Sequence, residues 1–224
     1  KGICDKSKLS SKEKALVNVK VSFADGSETV GKLAVMAAPV MEGKAGGSIE
    51  HDGIISMESC HYVEAVESHG GCYDRVKYLG RMRGAVKCFP TTADYTGLED
   101  APYVRYEFYS ENGGNYNIEV DVLARNPVVL GQDMMLAVAV NDSDKVYMNA
   151  VESDFYAGHT CPQWCNGVLD NVRRIVAKVP VKAGVNSLYV YAQSPNVSFD
   201  KITLWREDVK LPESYLGPVD SARF

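Results

Sequence analysis

Two alternating segments around Asn112-Gly113-Gly114 constrain the fold more than any other feature of the chain. Before this turn, Val104, Tyr106 and Phe108 share one face and polar side chains share the other. After it, the residues of the apolar face are Tyr116, Ile118, Val120 and Val122. Alternation with a period of two on both sides of a glycine-rich turn is typical of a β-hairpin with one buried face. The chain is therefore predicted to be an antiparallel β protein.

Further β-type segments follow at short spacing, separated by turn residues such as Asn141-Asp142-Ser143-Asp144 and Lys182-Ala183-Gly184. This spacing favours an all-β fold, a two-sheet, jelly-roll-like β-sandwich. Helix signals are poor, and the best candidate for one short helix is Met57–Ser68, after the first strand. The predicted strands are Ile54–Ser59, Ala85–Phe89, Tyr103–Tyr109, Tyr116–Ala124, Met135–Asn141, Asn171–Lys178, Ser187–Gln193 and Phe199–Trp205.

A second hairpin is predicted over residues 14–38, with its turn at Ala24-Asp25-Gly26-Ser27. The flexible segment Met41–Ser48 resembles a linker in composition. We therefore expect residues 1–47 to form a hairpin and linker, the tail of a preceding β module, and residues 48–224 to form the sandwich with an extended C-terminal tail. Because the chain begins with Lys1, we expect it to be a piece of a longer protein.

Composition excludes several classes of function. The formal charge is −5 and no basic block occurs, which argues against nucleic-acid binding, and no apolar run is long enough for a membrane span. No phosphate-binding loop, nucleophile elbow or metalloprotease motif is present. The 6 cysteines are irregularly spaced, so most are expected to be free, although a disulfide between Cys161 and Cys165 remains an alternative.

Acidic residues near both ends of the predicted sandwich suggest a metal site. Glu50, Asp52 and Glu58 surround the first strand and Asp200 opens the last. If these strands adjoin, their oxygen atoms would suit a structural calcium ion. The alternative is ordinary solvated surface charge.

Aromatic and polar loop residues suggest a sugar-binding site. Tyr156 and Trp164 lie in a long segment between strands, where an aromatic ring can stack on the apolar face of a sugar or simply pack against the fold. Asn196 precedes the last strand and offers an amide for sugar hydroxyls. Arg81 matches the geometry of a carboxylate on an acidic sugar, with surface solvation as the alternative.

Four segments in order resemble the C-terminal β-sandwich domain of glycoside hydrolase family 115, the xylan α-glucuronidases. The resemblance extends from about residue 50 to residue 218. The segments are Ile55–Tyr62 (ISMESCHY), Leu79–Pro90 (LGRMRGAVKCFP), Trp164–Arg173 (WCNGVLDNVR) and Pro212–Pro218 (PESYLGP).

The resemblance implies a non-catalytic accessory domain of a bacterial xylan-degrading enzyme, secreted or at the cell surface, with the catalytic domain upstream in the same polypeptide. It implies that the domain aids assembly, including a homodimer, or positions xylan. By the wider similarity to calcium-containing carbohydrate-binding modules, Glu58 and Asp200 match acidic positions and Asn196 matches a sugar-contacting position. An independent carbohydrate-binding module and a structural, protein-interaction sandwich are the alternatives.

Overall fold

A computed structural model describes residues 14–36 and 46–224 of the chain. These residues divide into two compact units, of which the second extends to Arg223. In the first unit, β1 (Lys14–Ser22) and β2 (Glu28–Met36) pair antiparallel, as the sequence predicts. Residues 37 and 38 of the predicted hairpin, most of the predicted linker and Cys4 lie outside the described residues.

The second unit contains two six-stranded sheets. The strands of the first sheet are β3 (Ser48–Ile49), β5 (Glu64–Val66), β8 (Tyr103–Ser110), β10 (Met134–Val140), β11 (Val146–Val151) and β13 (Gly184–Ala192). At its centre, β13 pairs antiparallel with β10 and β8, and β11 extends the sheet beyond β10. Both β3 and β5 pair with the other edge of β8, β3 in the parallel direction.

The second sheet carries the polar residues on which the candidate site depends. Its strands are β4 (Ile54–Glu58), β6 (Cys72–Lys77), β7 (Gly84–Phe89), β9 (Gly114–Leu123), β12 (Val172–Val181) and β14 (Ser198–Arg206). The central strand β14 pairs with β9 on one side and with β4 and β7 on the other. The first and last strands of the predicted sandwich are therefore direct neighbours.

The core lies between the two sheets and follows the alternation of the sequence. Val104, Tyr106 and Phe108 on β8 and Ile118 and Val120 on β9 are almost fully buried and belong to one apolar cluster. The predicted all-β sandwich is therefore confirmed. Among the described residues, no helix is long and apolar enough to cross a membrane.

The helix prediction was wrong. Met57–Ser68 contains the end of β4, a single 3-10 turn at Ser59–His61 and β5. The observed helix, α1 (Pro162–Asp170), lies in the segment predicted to be a long loop, with Pro162 in its first turn and Asn171 in the left-handed conformation at its C-cap. Gly167 packs this helix closely on the fold, since an added Cβ there would lie 3.3 Å from Ala124 Cβ.

Candidate functional site

A β-bulge in β14 turns two consecutive charged residues to the outer face of the second sheet. The register against β9 shifts between Phe199 and Lys201, which inserts Asp200 as an extra residue. Phe199 remains in the core, whereas Asp200 and Lys201 make contacts on the opposite face. Both are nevertheless buried, with exposed fractions of 0% and 1%.

Arg81 is the centre of the buried ion cluster on this face. Its guanidinium group pairs with Asp121 and Asp200, and its backbone N–H donates to Asp200 Oδ2 at 2.8 Å. The Arg81 side chain is only 3% exposed. Arg81 was predicted to contact an acidic sugar at the surface. In the structure, its guanidinium group instead forms ion pairs with Asp121 and Asp200 of the same chain.

The C-terminal tail covers the ion cluster. Arg81 Nη1 donates to Tyr215 O at 2.8 Å, and Lys201 Nζ donates to Leu216 O at 2.7 Å and also to Pro218 O. Buried charges are tolerated in proteins when they are paired and hydrogen-bonded, and here the tail carbonyls supply the remaining acceptors. Three of the segments that carry the family resemblance, Leu79–Pro90, Trp164–Arg173 and Pro212–Pro218, meet here, since Asn171 Nδ2 donates to Tyr215 Oη at 3.0 Å.

Burial shifts the acidity of two carboxyl groups beside Arg81. It raises the pKa of Asp121, although the Arg81 charge opposes the shift. Burial and the adjacent charge of Asp121 raise the pKa of Glu119 to about 7. Burial therefore favours the neutral form of both carboxyl groups on this face.

The structure does not bring together the four acidic residues predicted to bind calcium. Glu50 accepts a hydrogen bond from Tyr116 Oη at 2.9 Å. Tyr116 pairs with Arg206 at the end of β14, whereas Asp200 lies near the start of that strand. Asp200 and Arg206 are six residues apart along the strand, which corresponds to roughly 20 Å. Asp52 is exposed beside His51.

Glu58 and Asp200 lie at neighbouring positions of β4 and β14, but each has other partners. Asp200 faces Arg81, and Glu58 faces Cys60. As placed, the four predicted residues do not fit a single calcium site.

A second polar cluster surrounds Asn196, just before the start of β14. Lys87 Nζ donates to Asn196 Oδ1 at 2.8 Å. Lys87 pairs in register with Ser198, whose Oγ accepts a hydrogen bond from Arg125 Nε at 2.8 Å. The ring of Phe89, which is 42% exposed, has its centroid 5.8 Å from Lys87 Nζ. We name Lys87, Phe89, Arg125 and Asn196 the cationic patch.

The two cations of this patch lack an acidic partner. Within the described part of the chain, neither Lys87 nor Arg125 forms an ion pair with a carboxylate, although Lys87 is only 9% exposed. Burial and the nearby Arg125 charge lower the pKa of Lys87, and burial lowers the pKa of Arg125. Half-buried positive charge without a counterion is costly, so the patch is chemically suited to an anionic ligand.

The two predicted aromatic residues lie on and before α1. Trp164 is half-buried and packs against the main core, and Tyr156 is 49% exposed with its hydroxyl 2.6 Å from Thr160 Oγ1. Among the described residues, no hydrogen bond joins either side chain to Asn196, whose amide oxygen accepts from Lys87. The Arg173 side chain connects this region to the cationic patch, because it stacks on Phe155 and donates to Arg125 O at 2.7 Å.

The cysteines of the described residues, including Cys161 and Cys165, are all free. The alternative of a Cys161–Cys165 disulfide is therefore not realised. Cys165 Sγ instead donates to His159 O at 3.3 Å.

Of the residues in the cationic patch, Asn196 was predicted from the sequence, whereas Lys87 and Arg125 were not. The alternation of β7 does contain a signal, since Val86 and Cys88 belong to the core and Lys87 must point away from it. The lack of a partner carboxylate, however, depends on the tertiary structure.

Comparison with known proteins agrees with this architecture. The glycosyl hydrolase family 115 C-terminal domain matches residues 47–220. A family 115 4-O-methyl-α-glucuronidase with specificity for decorated arabinogalactans is similar in structure, with a TM-score of 0.52, 12% identity and coverage of 80% of this chain and 20% of that chain.

Two further structures are more distant. A mannanase with a family 35 carbohydrate-binding module from Podospora anserina has a TM-score of 0.47 and 16% identity, covering 72% of this chain and 29% of that chain. A family 35 module from Clostridium thermocellum has a TM-score of 0.45 and 15% identity, covering 67% of this chain and 98% of that chain.

The chain thus spans less than a third of each of the two glycoside hydrolases. No curated protein matches the sequence. Since the family match covers most of the chain and the sandwich architecture accompanies it, this chain belongs to the glycosyl hydrolase family 115 C-terminal domain family.

Proposed function

We propose that this chain is a non-catalytic accessory domain of a bacterial xylan-degrading glycoside hydrolase, and that its cationic patch binds uronic-acid-bearing carbohydrate. The observation that carries the proposal is that the buried Lys87 and the partly buried Arg125, beside the Asn196 amide, form no ion pair with a carboxylate within the described part of the chain. The family match supports the accessory role, because it is to a C-terminal domain of the glycoside hydrolase.

Each part of the cationic patch has a chemical counterpart in a uronic acid. Only Nε of the Arg125 guanidinium is engaged by Ser198, which leaves its Nη groups to donate to a carboxylate. Lys87 adds a second positive charge, and Asn196 presents an amide for ring hydroxyls. Phe89 offers an exposed aromatic ring for the apolar face of a pyranose.

The domain would act beside an upstream catalytic domain of the same polypeptide. By holding a glucuronic acid branch of glucuronoxylan, it would raise the local concentration of substrate at that neighbour without reacting itself. A free-standing carbohydrate-binding module would use the same patch. The two hypotheses therefore differ in whether a catalytic domain lies in the same polypeptide.

A role in assembly is the second candidate. Apolar side chains are exposed on α1 and on the segment that follows β9. Leu169 of α1 is 75% exposed, and Leu130 of that segment is 82% exposed. Exposed apolar side chains in such numbers are typical of contact surfaces. A homodimer that forms with rising concentration in light scattering would support this function, and a strictly monomeric chain would count against it.

Isothermal titration calorimetry with a glucuronic-acid-substituted xylo-oligosaccharide tests the binding proposal. A charge-assisted hydrogen bond contributes roughly 1.5–3 kcal/mol, so Lys87→Gln and Arg125→Gln should each weaken binding about tenfold to hundredfold. The control is Arg83→Gln, since the side chain of Arg83 is 85% exposed and lies outside the patch.

Two results would contradict the proposal. Equal affinity for the unsubstituted xylo-oligosaccharide would show that the carboxylate is not recognised. Release of sugar by the purified chain alone would show that the domain is catalytic.

A further inference from the structure

Three side chains of types that can bind metals lie together at the end of β4, and the C-terminal tail brings a fourth, Asp220, next to one of them. Glu58 ends β4, and Cys60 and His61 lie in the 3-10 turn that follows. One donor atom from each of these three residues lies within 4.8 Å of the others. Asp220 joins them from the tail, with its Oδ2 atom 3.2 Å from His61 Nδ1.

The distances between the donors approach those of a four-coordinate metal site. Cys60 Sγ lies 3.8 Å from Glu58 Oε2, and His61 Nδ1 lies 3.2 Å from Asp220 Oδ2. Bond lengths of about 2.0–2.3 Å in a tetrahedral zinc site place neighbouring donors roughly 3.3–3.6 Å apart. Small side-chain movements would therefore bring these donors around one ion.

The environment of the cluster is poorly satisfied without a cation. His61 Nδ1 is buried but makes no hydrogen bond with any described residue, although Asp220 Oδ2 lies 3.2 Å away. Glu58 is 8% exposed, and its one ion-pair partner among the described residues is Arg83, whose Nε lies 4.0 Å away on a side chain that is 85% exposed. Asp220 is held in place by its other oxygen, which accepts a hydrogen bond from Glu58 N at 2.9 Å.

We propose that Glu58, Cys60, His61 and Asp220 form a binding site for zinc or a similar divalent transition metal. Thiolate and imidazole are ligands that zinc prefers, whereas calcium takes oxygen ligands in larger number. On binding, the Cys60 thiol releases its proton to solvent and the sulfur becomes a ligand. This site shares only Glu58 with the calcium site predicted from the sequence.

A metal at this position would link the C-terminal tail, through Asp220, to the end of β4. Asp220 follows directly after Pro218 and Val219 in the segment that covers Lys201, and Ser221 N donates to Ser56 O at 2.8 Å. A ligand that binds only the folded state stabilises it, so metal should raise the melting temperature of the domain.

The test uses the full chain, freed of metal with a chelator, and titrates zinc against a chromophoric competitor. Cobalt(II) is titrated separately, because a thiolate ligand gives a charge-transfer band in the near ultraviolet. Cys60→Ser and His61→Gln are the site variants. Cys72→Ser is the matched control, since Cys72 is also half-buried and free but its Sγ donates to Tyr73 O outside the cluster.

We expect one zinc per chain, a cobalt thiolate band, and a rise in melting temperature with zinc. The band should disappear in Cys60→Ser, zinc affinity should fall at least tenfold in both site variants, and Cys72→Ser should retain all three properties. Absence of zinc binding by the parent chain would overturn the proposal whether or not the variants fold. So would a cobalt band that persists in Cys60→Ser, or equal stabilisation by calcium.

Discussion

Replacing Arg81 by methionine should strongly destabilise the sandwich. The substitution keeps much of the apolar stem but removes the guanidinium that pairs with Asp121 and Asp200. Both carboxylates are almost completely buried, with exposed fractions of 3% and 0%. Removing one partner of a buried ion pair typically costs about 3–5 kcal/mol, because the remaining charge is left without compensation.

The free energy of unfolding can be measured by urea denaturation at pH 7. Arg83→Met is the matched control: the Arg83 side chain is 85% exposed, and its distance to Glu58 is 4.0 Å. A change of about 0.5 kcal/mol or less is expected there, as for other exposed ion pairs. The two variants thus separate the loss of an arginine from the loss of this buried contact.

The destabilisation should also depend on pH in a defined direction. Burial already raises the pKa of Asp121 in the presence of Arg81, and removal of that cation raises it further. An acid whose folded-state pKa is raised destabilises the fold above that pKa, and the penalty disappears as the pH falls and the group is protonated. The difference between parent and Arg81→Met should therefore be smaller at pH 5 than at pH 7. A loss below about 1 kcal/mol at pH 7 would show that the cluster is effectively solvated and would refute this reasoning.

Two further predictions concern the same face of the sheet. Gly80→Ala should lower the free energy of unfolding by at least about 2 kcal/mol, because φ is +85° and an added Cβ would lie 2.9 Å from Asp200 Cβ. The control is Gly97→Ala, at φ +77° in open space, which should lower it by about 1 kcal/mol in the same urea assay. Equal losses in the two variants would exclude the steric explanation. Glu119→Gln should stabilise the fold by about 1–2 kcal/mol at pH 8 and change it little at pH 4. The reason is that the pKa of Glu119 is raised from 4.5 to about 7, so its ionisation penalises the folded state only as the pH rises through that range. Thermal melts across pH 4–8 would check this, and a variant less stable at pH 8 would contradict it.

Alternation predicted the strands of 7 or more residues, together with β4 and β7, but it missed β6, β11 and the very short β3 and β5. The segments that form β8 and β9 have clear apolar and polar faces, and both strands pair along most of their length. In contrast, β3 has only 2 residues and β5 has 3, which is too short for a periodic signal. Such strands form because neighbouring β8 offers a free edge, and that edge exists only in the assembled sandwich.

The missed helix has a similar explanation. The sequence PQWCNGVLD contains asparagine and glycine, both of which disfavour helix interiors. Its boundary signals, Pro162 at the start and Asn171 at the end, are present but weak alone. Packing against the sandwich near Ala124 compensates for the poor intrinsic propensity.

The candidate site depends on features that a single sequence does not display. The bulge that turns Asp200 and Lys201 to the same face follows from strand register, and it decides that Arg81 is buried rather than available to a sugar. Conversely, the sequence marks Lys87 and Arg125 only as ordinary basic residues. Their importance comes from a position beside Asn196 with no carboxylate nearby among the described residues.

The most direct test of the account is to locate the bound sugar on the chain. Glucuronic acid can be titrated into isotopically labelled protein while amide chemical shifts are followed by NMR. The largest shifts are expected on Lys87, Arg125 and Asn196, and xylose should give no such pattern. Shifts concentrated elsewhere, for example on the tyrosine cluster of Tyr103 and Tyr189 on the first sheet, would contradict it.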